Sequence, residues 1–526
     1  MPQTGAQAIA RALKERGVET IFSLSGNQIL PLYDTLHSEG IRLITTRHEA
    51  TAVHMADVAA QITRRATVAL VTAGPGHTNA LTALGVAQAN EAPMLLLSGA
   101  ADTAQRGTRA FQEFPQAEVA QFFTKWSGNA DVPAEAASLV NRALDLAEAE
   151  VPGPVSLSLP FDMQHAAVES NVEVGRIPSP HWTADTLEPL THALSQAKRP
   201  ILLASPWVSR DPRLARLAEA HGWPVFAIES PRGAADPFLI GASSALREAD
   251  CIVLIGPWDF SSRTPDVQHP RAFGIIQVWP DIAASGDGFT ALRARPAQAL
   301  QALEQATLPD TSGWAREVAQ ARVGERERIG RQPLPAGVQG VHPFRLAEAV
   351  RRRLTPADYL TMDGGEFVCW MRLGMAQGSW RSSCNGKYGP IGPALPYALG
   401  ARAALGPDVA VIAFAGDGGF GYHAMDIETA VREHLPVIAI VGTDGLWGAE
   451  WHLQAKHYGP DRRIGTELGI SEFETMAAAH GAVGIGLRRD AEIDSALDTA
   501  WRAMREGRPV IVNVYAAPLP SPSALH

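Results

Sequence analysis

The sequence has 526 residues, of which 46% are hydrophobic and 19% charged, a balance typical of a globular chain with buried cores. Its net charge of −10 argues against nucleic acid and anionic membranes as main partners, because both attract basic surfaces. Three cysteines without a CxxC pair exclude a disulfide framework, and no apolar stretch is long enough to suggest a membrane span.

The N-terminal segment predicts an amphipathic helix that leads into a strand, without the long apolar core of a signal peptide. Because the few cysteines also suit a reducing compartment, we expect a cytoplasmic protein. Short apolar runs then alternate with helical stretches, as expected for parallel strands that are buried on both faces. In the first third of the chain these runs cover residues 68–72, 94–98 and 155–159.

This alternation recurs three times, which predicts an α/β fold of three doubly wound parallel-sheet domains. We expect an N-terminal domain over residues 1–165, a central Rossmann-like domain over 187–308 and a C-terminal domain over 342–518. Mixed polarity with prolines predicts a linker over 169–186. A charged and then Pro/Gly-rich segment predicts a second linker over 309–342.

The most specific motif is a glycine-rich turn in the third unit, where Gly416, Asp417, Gly418 and Gly419 follow an apolar strand and precede a helical stretch. Such a turn presents backbone N–H groups to a phosphate, and a carboxylate there offers the oxygen ligands that Mg²⁺ prefers. The next strand ends near Asp444, 27 positions after Asp417. Since neighbouring parallel strands end at the same edge of a sheet, the two carboxylates are predicted to share a metal ion.

This pair of motifs resembles the cofactor motif of thiamine diphosphate-dependent enzymes. The resemblance implies that thiamine diphosphate and Mg²⁺ bind here, with the side chains of Asp417 and Asp444 and the backbone carbonyl of Leu446 as metal ligands. The family usually has Asn-Asn where this chain has Thr443-Asp444. Asp444 therefore adds a negative charge beside the diphosphate.

Further cofactor contacts follow from the same resemblance. In the turn before the second helix, Ile391 would bend the cofactor into its V shape, and the carbonyl of Gly389 would accept a hydrogen bond from the pyrimidine amino group. Gly365 and Glu366 resemble a loop that cradles the diphosphate, although an ordinary strand-ending turn is an equal alternative. The remaining residues implied to contact the cofactor on this side are Gly416, Gly418, Gly419, Leu446 and Trp447.

In the first unit, Glu49 stands where a strand gives way to a helix. A glutamate at a helix start is by itself often a surface residue that suits the helix dipole. Together with the C-terminal motifs, Glu49 resembles the catalytic glutamate of thiamine diphosphate enzymes, which shares a proton with N1′ of the pyrimidine ring. The loop after the strand at 68–72 resembles the pyrimidine-side loop, which implies cofactor contacts from Gly74, Pro75, Gly76 and Asn79.

In this family the pyrimidine domain of one subunit faces the diphosphate domain of another. The resemblance therefore implies a homodimer or homotetramer with active sites at the subunit interface, with a small molecule as substrate. Segment 111–116 resembles acetolactate synthases and 2-hydroxyacyl-CoA lyases, whereas 446–454 is closer to benzaldehyde lyase. Gln112 is predicted to hydrogen-bond a substrate oxygen, the alternative being an ordinary loop glutamine. Gln28 is an amide that does not titrate, so it can only orient a carbonyl.

These features together predict a lyase or carboligase acting on 2-keto acids, 2-hydroxyketones or 2-hydroxyacyl-CoA. The central unit lacks a G-x-G-x-x-G motif, so we expect no FAD. One alternative is a non-oxidative 2-keto acid decarboxylase, which shares every cofactor residue. The other is a catalytically silent binding protein of the same fold, and the presence of Glu49 argues against it.

Overall fold

A computed structural model describes residues 3–149, 151–169, 172–173, 184–258, 260–264, 267, 274–280, 289–378 and 380–522. Three parallel sheets flanked by helices form three α/β domains, which confirms the predicted fold class. A small antiparallel pair, Gln3–Thr4 with Ala167–Val168, joins the two ends of the N-terminal domain. Among the described residues, no helix combines the length and the apolar composition that a membrane crossing needs.

The N-terminal domain is built on a six-stranded sheet. In spatial order its strands are Arg42–Thr45, Thr20–Ser23, Thr67–Val71, Met94–Ala100, Pro154–Pro160 and Trp126–Asn129. Its α-helices are Gly5–Glu15, Leu30–Ser38, Glu49–Thr63, Pro75–Ala89, Gln116–Ala120, Ala136–Glu148 and Phe161–His165. Short 3-10 turns cover Asn27–Ile29, Thr103–Gln105, Gln121–Phe123 and Pro133–Glu135.

The central domain has a five-stranded parallel sheet. Its strands in spatial order are Val225–Ala227, Pro200–Ala204, Cys251–Ile255, Gly274–Val278 and Phe289–Leu292. Its α-helices are Glu188–Gln196, Pro206–Ser209, Pro212–His221, Ala242–Glu248, Phe260–Arg263 and Pro296–Gln305, with 3-10 turns at Gly233–Ala235 and Pro237–Leu239.

The C-terminal domain repeats the strand order of the N-terminal domain. Its strands in spatial order are Arg381–Cys384, Tyr359–Met362, Val411–Gly416, Ile438–Thr443, Val510–Tyr515 and Val483–Leu487. Its helices are Pro343–Arg351, Glu366–Met375, Ala394–Leu405, Asp417–Gly421, Asp426–Arg432, Gly448–Tyr458, Phe473–Ala479 and Ile493–Arg505, with a 3-10 turn at Asp490–Glu492. In both of these six-stranded sheets, the strands that come first and third along the chain are spatial neighbours. A crevice forms beyond the carboxyl ends of such a pair of strands.

The predicted linker over 309–342 is partly wrong, because the helix Ser312–Gly330 fills much of it. Trp314 and Val318 of this helix join the core of the central domain, and Trp314 Nε1 donates to the carbonyl of Pro200 at 3.1 Å. Of the charged residues that suggested a linker, Arg316, Glu317 and Arg328 are exposed, whereas Arg322 is half-buried and Arg326 is buried. The predicted linker over 169–186 lies largely outside the described residues. The domain boundaries at 165, 187, 308 and 342 stay predictions.

One pair of helices joins the N-terminal and C-terminal domains. Every residue from 49 to 61 of the helix Glu49–Thr63 is buried, and this helix packs against Ala394–Leu405. The backbones approach closely because position 400 is glycine: a Cβ there would lie 2.5 Å from the carbonyl oxygen of Met55. Asp57 accepts hydrogen bonds from the Tyr397 hydroxyl and, at 3.0 Å, from Asn90 Nδ2. The two domains therefore share one core, which a polar network crosses.

We expect the substitution Gly400→Ala to destabilise the protein by about 1–3 kcal/mol, because the added methyl group must push two packed helices apart. Urea unfolding monitored by circular dichroism measures the change. The matched control is Gly324→Ala on the helix Ser312–Gly330, where a Cβ meets nothing within 4 Å and better helix propensity predicts unchanged or higher stability. Equal stability of Gly400→Ala and the wild type would contradict the close approach.

Candidate active site

A cavity of about 710 Å³ opens at the carboxyl edge of the C-terminal sheet, beyond the neighbouring strands Tyr359–Met362 and Val411–Gly416. This volume lies in the range of small-molecule sites. The cavity gathers all of the C-terminal residues that the sequence predicted for the cofactor and the metal: Gly365, Glu366, Gly389, Ile391, Gly416, Asp417, Gly418, Gly419, Asp444, Leu446 and Trp447.

Glycines leave the backbone of this cavity open. A Cβ at Gly365 or Gly416 would meet nothing within 4 Å, so these two positions expose main chain to the cavity. Gly418 is glycine for a different reason, since a Cβ there would overlap the ring of Trp447. Main-chain N–H groups exposed in this way can bind the oxygens of a phosphate group.

Two carboxylates lie on this edge, of which Asp417 is buried and Asp444 half-buried. Asp417 Oδ2 accepts a hydrogen bond from the backbone N–H of Gly445 at 2.8 Å, and Asp444 Oδ1 accepts one from that of Leu446 at 3.0 Å. Burial, the nearby charge of Asp417 and that of Glu366 raise the pKa of Asp444 to about 7. Burial also raises the pKa of Asp417. A divalent cation would relieve this repulsion, and hard oxygen donors suit Mg²⁺.

Side chains alone could not hold a metal ion at this edge. Across the residues that the structure describes, no group of three or more His, Cys, Asp or Glu side chains could hold a metal ion. A cation between Asp417 and Asp444 therefore needs further oxygens from the main chain, from the bound cofactor or from water. Mg²⁺ is commonly bound in this way, through one or two carboxylates and phosphate oxygens.

Glu366, Arg232 and Glu450 are further charged residues in the lining of this cavity. Burial raises the pKa of Glu366 to about 7, and the positive charge of Arg232 opposes this rise. Within the described part of the chain, Glu366 Oε2 is buried and has no hydrogen-bond partner. Arg232 comes from the central domain and lines the cavity, a contact that the sequence analysis missed because no local motif marks it.

The N-terminal domain gathers a second set of predicted residues. Glu49 is only 8% exposed, and its Oε2 accepts a hydrogen bond from Asn79 Nδ2 at 3.0 Å. Gly76 lies beside it, since a Cβ there would be 3.6 Å from Glu49 Oε1. Thr72 Oγ1 donates to Gln28 Oε1 at 2.9 Å, and Thr72 also packs against Gly76. Gln28, Glu49 and Asn79 therefore occupy the same edge of the N-terminal sheet.

The loop that contains Gly74 and Pro75 is fixed by two glutamines. A Cβ at Gly74 would lie 2.8 Å from the carbonyl oxygen of Gln112, so Gln112 packs directly on this loop. Buried Gln116 accepts from the backbone N–H of Gly74 at 2.8 Å and donates to the carbonyl of Gly99 at 3.0 Å. No motif in the sequence indicated this positioning role of Gln116. The one indication in the sequence is that Gln116 lies in the same short segment, 111–116, as Gln112.

The two sets of residues form separate parts of one chain. The lining of the large cavity comes from the central and C-terminal domains, and Gln28, Glu49 and Gln112 are not among its lining residues. We call the set Gln28, Glu49, Asn79 and Gln112 the N-terminal half-site, and the cavity with Asp417 and Asp444 the C-terminal half-site.

Comparison with known proteins agrees with this arrangement. Residues 3–120 match the N-terminal TPP binding domain of thiamine pyrophosphate enzymes, and residues 363–514 match the C-terminal TPP binding domain. Over 97% of the chain, the sequence is 30% identical to a probable acetolactate synthase of Mycobacterium bovis, covering 95% of that protein. It is also 30% identical to 2-hydroxyacyl-CoA lyase 2 of Homo sapiens, over 97% of this chain and 89% of that protein.

A third relative carries a different activity in its name. The sequence is 27% identical to a sulfoacetaldehyde acetyltransferase of Alcaligenes xylosoxydans xylosoxydans, over 97% of this chain and 92% of that protein. The fold is thus that of a thiamine diphosphate-binding α/β protein. The chain belongs to the thiamine pyrophosphate enzyme family, whose similar members include synthases, lyases and acetyltransferases.

We expect Gln116→Leu to lower the free energy of unfolding by about 1–3 kcal/mol, because it leaves the buried N–H of Gly74 and carbonyl of Gly99 unpaired. Urea unfolding measures the loss, and hydrogen exchange at Gly74 reports whether the loop opens. Gln121→Leu is the control, since Gln121 is exposed. Unchanged exchange at Gly74 would contradict the anchoring role.

Proposed function

We propose that this protein is a thiamine diphosphate- and Mg²⁺-dependent lyase or carboligase that makes or breaks a carbon–carbon bond next to a carbonyl. Its substrates would be 2-keto acids, 2-hydroxyketones or 2-hydroxyacyl-CoA. The observation that carries the proposal is buried Glu49, held by Asn79 beside a position without a side chain, Gly76. A protein that only binds the cofactor has no need of a carboxyl group there.

The C-terminal half-site would hold the diphosphate and its metal. In this proposal Asp417, Asp444 and the carbonyl of Leu446 bind Mg²⁺, and the open backbone at Gly365 and Gly416 lies against the diphosphate. Gly389, Ile391 and Trp447 line the same cavity and would contact the rest of the cofactor. When bound, thiamine diphosphate supplies an electron sink for the carbon that carries the carbonyl group.

The N-terminal half-site would handle the proton and the substrate. Glu49 holds a proton at N1′ of the pyrimidine ring, a role that requires a carboxyl group and that an amide cannot fill. Gln28 and Gln112 donate hydrogen bonds and orient a substrate carbonyl without changing charge. Gly74 and the first turns of the helix Pro75–Ala89, with Pro75, Gly76 and Asn79, would face the pyrimidine ring.

A complete site would then require a second copy of the chain. The support is that Glu49 is not among the residues that line the C-terminal half-site of its own chain. Large apolar side chains near both half-sites are also exposed: Phe111 by 74%, Phe122 by 80%, Tyr422 by 62% and Ile464 by 69%. Exposed apolar groups mark an interaction surface where they form a contiguous patch. We therefore propose a homodimer or a dimer of dimers with two shared sites per pair.

The reaction has one alternative within the same enzyme family. A non-oxidative 2-keto acid decarboxylase would use the same cofactor residues, and release of CO₂ from pyruvate without a condensation product would identify it. We also propose that the enzyme acts without FAD. We further propose that it works in the cytoplasm, because its three cysteines are free and buried, as suits a reducing compartment.

We expect thiamine diphosphate and Mg²⁺ together to raise the thermal midpoint of cofactor-stripped protein, and each alone to raise it less. A ligand that binds only the folded state stabilises it by about 2.7 kcal/mol at a hundredfold excess over its Kd. Asp417→Ala should abolish the joint shift, whereas Asp408→Ala, which changes an exposed aspartate on the same domain, should keep it. A full shift in Asp417→Ala would rule out the proposed metal site.

We expect Glu49→Gln to retain the thermal shift with the cofactor but to lose about 10²–10⁴-fold in turnover, the usual contribution of a required acid or base. Turnover is measured with pyruvate, benzoin and a 2-hydroxyacyl-CoA. The matched control is Glu15→Gln, which alters an exposed glutamate in the same domain. A fully active Glu49→Gln enzyme would refute the proposed role of this carboxyl group.

A further inference from the structure

A second cavity, of about 430 Å³, lies where the three domains meet. We call it the junction cavity. Arg64 at the end of the helix Glu49–Thr63 lines it from the N-terminal domain, Asp236 and Phe238 from the central domain, and Arg372 and Trp380 from the C-terminal domain. Small-molecule sites are common at domain interfaces and have volumes of this order.

Two ion pairs hold the walls of the junction cavity. Arg210 Nη1 lies 2.9 Å from Glu229 Oε1, and Arg372 Nε lies 2.7 Å from Asp236 Oδ1. Both pairs are well shielded, with Asp236 only 2% and the Arg372 side chain 8% exposed. Within each pair the arginine and the carboxylate neutralise each other's charge. The two pairs therefore hold the walls of the cavity in place without adding net charge.

Two further arginines in the lining have no such partner. Arg64 and Arg381 have no carboxylate within 4 Å in the part of the chain that the structure describes. Arg64 stacks on the ring of Trp207 and donates to its backbone carbonyl at 2.8 Å, and Arg381 donates to the carbonyl of Ala357 at 3.1 Å. The lining of the junction cavity therefore has four arginines and only two carboxylates, although Asp211 and Glu91 outside the lining also act on Arg64. This excess of positive charge in the lining attracts an anion.

Two polar atoms in the lining residues lack partners. Among the described residues, Asp236 Oδ2 accepts no hydrogen bond and Trp380 Nε1 donates none, although both atoms are buried. A buried polar group without a partner costs about 1–3 kcal/mol, so native proteins rarely keep one without a reason. Oδ2 requires a donor and Nε1 an acceptor. Apolar surface from Ile62, Phe238 and Leu239 completes the lining.

We propose that the junction cavity is a second ligand site, which binds a small organic anion with a hydrogen-bond donor and an apolar substituent: a 2-hydroxy or 2-amino carboxylate. The carboxylate of the ligand pairs with Arg64 and Arg381 and accepts from Trp380 Nε1. Its hydroxyl or ammonium group donates to Asp236 Oδ2, and its side chain lies against Phe238 and Leu239.

The junction cavity shares three structural elements with the C-terminal half-site. Residues 229–236 present Ser230 and Gly233 to the junction cavity but Pro231 and Arg232 to the cofactor cavity. The helix Glu366–Met375 contributes Glu366 to the cofactor cavity and Arg372 to the junction cavity. Cys384 and Asn385 are divided in the same way. A ligand that stabilises one arrangement of these elements thus changes the affinity of the cofactor cavity, and the effect is reciprocal.

Titration calorimetry with 3-phenyllactate tests the site directly. The full-length protein is measured with saturating thiamine diphosphate and Mg²⁺, and again without them. We expect one molecule to bind per chain in both states. Two analogues each lack one recognised group: 3-phenylpropionate has no donor, and 3-phenyl-1,2-propanediol has no carboxylate. Each should bind about tenfold or more weakly, the size of a lost hydrogen bond to a charged group. Absence of 3-phenyllactate binding at millimolar concentration would overturn the proposal.

Variants locate the bound anion. Arg64→Gln, Arg381→Gln and Trp380→Phe should each weaken 3-phenyllactate binding about tenfold or more. Arg65→Gln removes the same charge from the neighbouring position, which does not line the junction cavity, and should bind as the wild type does. Thermal midpoints equal to that of the wild type show that each variant is folded. Wild-type affinity in all three cavity variants would overturn the proposal.

The same titrations separate this site from the proposed function. If thiamine diphosphate displaced 3-phenyllactate while Arg64→Gln had no effect, the anion would lie in the cofactor cavity and the second site would be refuted. Binding that is lost in Arg64→Gln supports the junction cavity whether or not thiamine diphosphate binds. The coupling predicts that 3-phenyllactate and the cofactor change each other's Kd by the same factor, and independent Kd values would contradict it.

Discussion

The helix pair Glu49–Thr63 and Ala394–Leu405 is the constraint on which the placement of both half-sites depends. The first helix begins with Glu49 itself, and the second begins directly after the turn that carries Ile391. Glycine at position 400 lets the two backbones touch, and the Asp57–Tyr397 hydrogen bond fixes their relative position. Because these buried helices cannot move independently, their first residues are held at fixed positions in each chain.

Electrostatics in the C-terminal half-site favours a bound cation and opposes an empty site. Asp417, Asp444 and Glu366 lie near one another, and burial raises the pKa of each. Asp444 increases this repulsion, so the proposed metal site would depend strongly on its divalent cation. The positive charge of Arg232 compensates in part, from a domain that contributes no other charged side chain to this cavity in the described structure.

Most of the fold and the residues of both half-sites could be predicted from local sequence. The reason is that glycine turns after apolar strands and a glutamate at a helix start are short-range patterns. The alternation of strands and helices likewise indicated three parallel sheets, two of which have the same strand order. Contacts between distant segments were not accessible in this way: Gln116 bonds to Gly74, and Arg232 reaches the cofactor cavity from another domain. The helix Ser312–Gly330 was missed because its many charged residues conceal a narrow apolar face around Trp314 and Val318.

The central claim is that the half-sites of one chain belong to two different active sites. A cryo-electron microscopy or crystal structure of the protein with thiamine diphosphate and Mg²⁺ tests it most directly. The account predicts that each cofactor has its diphosphate beside Asp417 of one subunit and its pyrimidine ring within hydrogen-bond distance of Glu49 of the partner subunit. A cofactor bound by Asp417 and Glu49 of the same chain, or one that no Glu49 approaches, would contradict it.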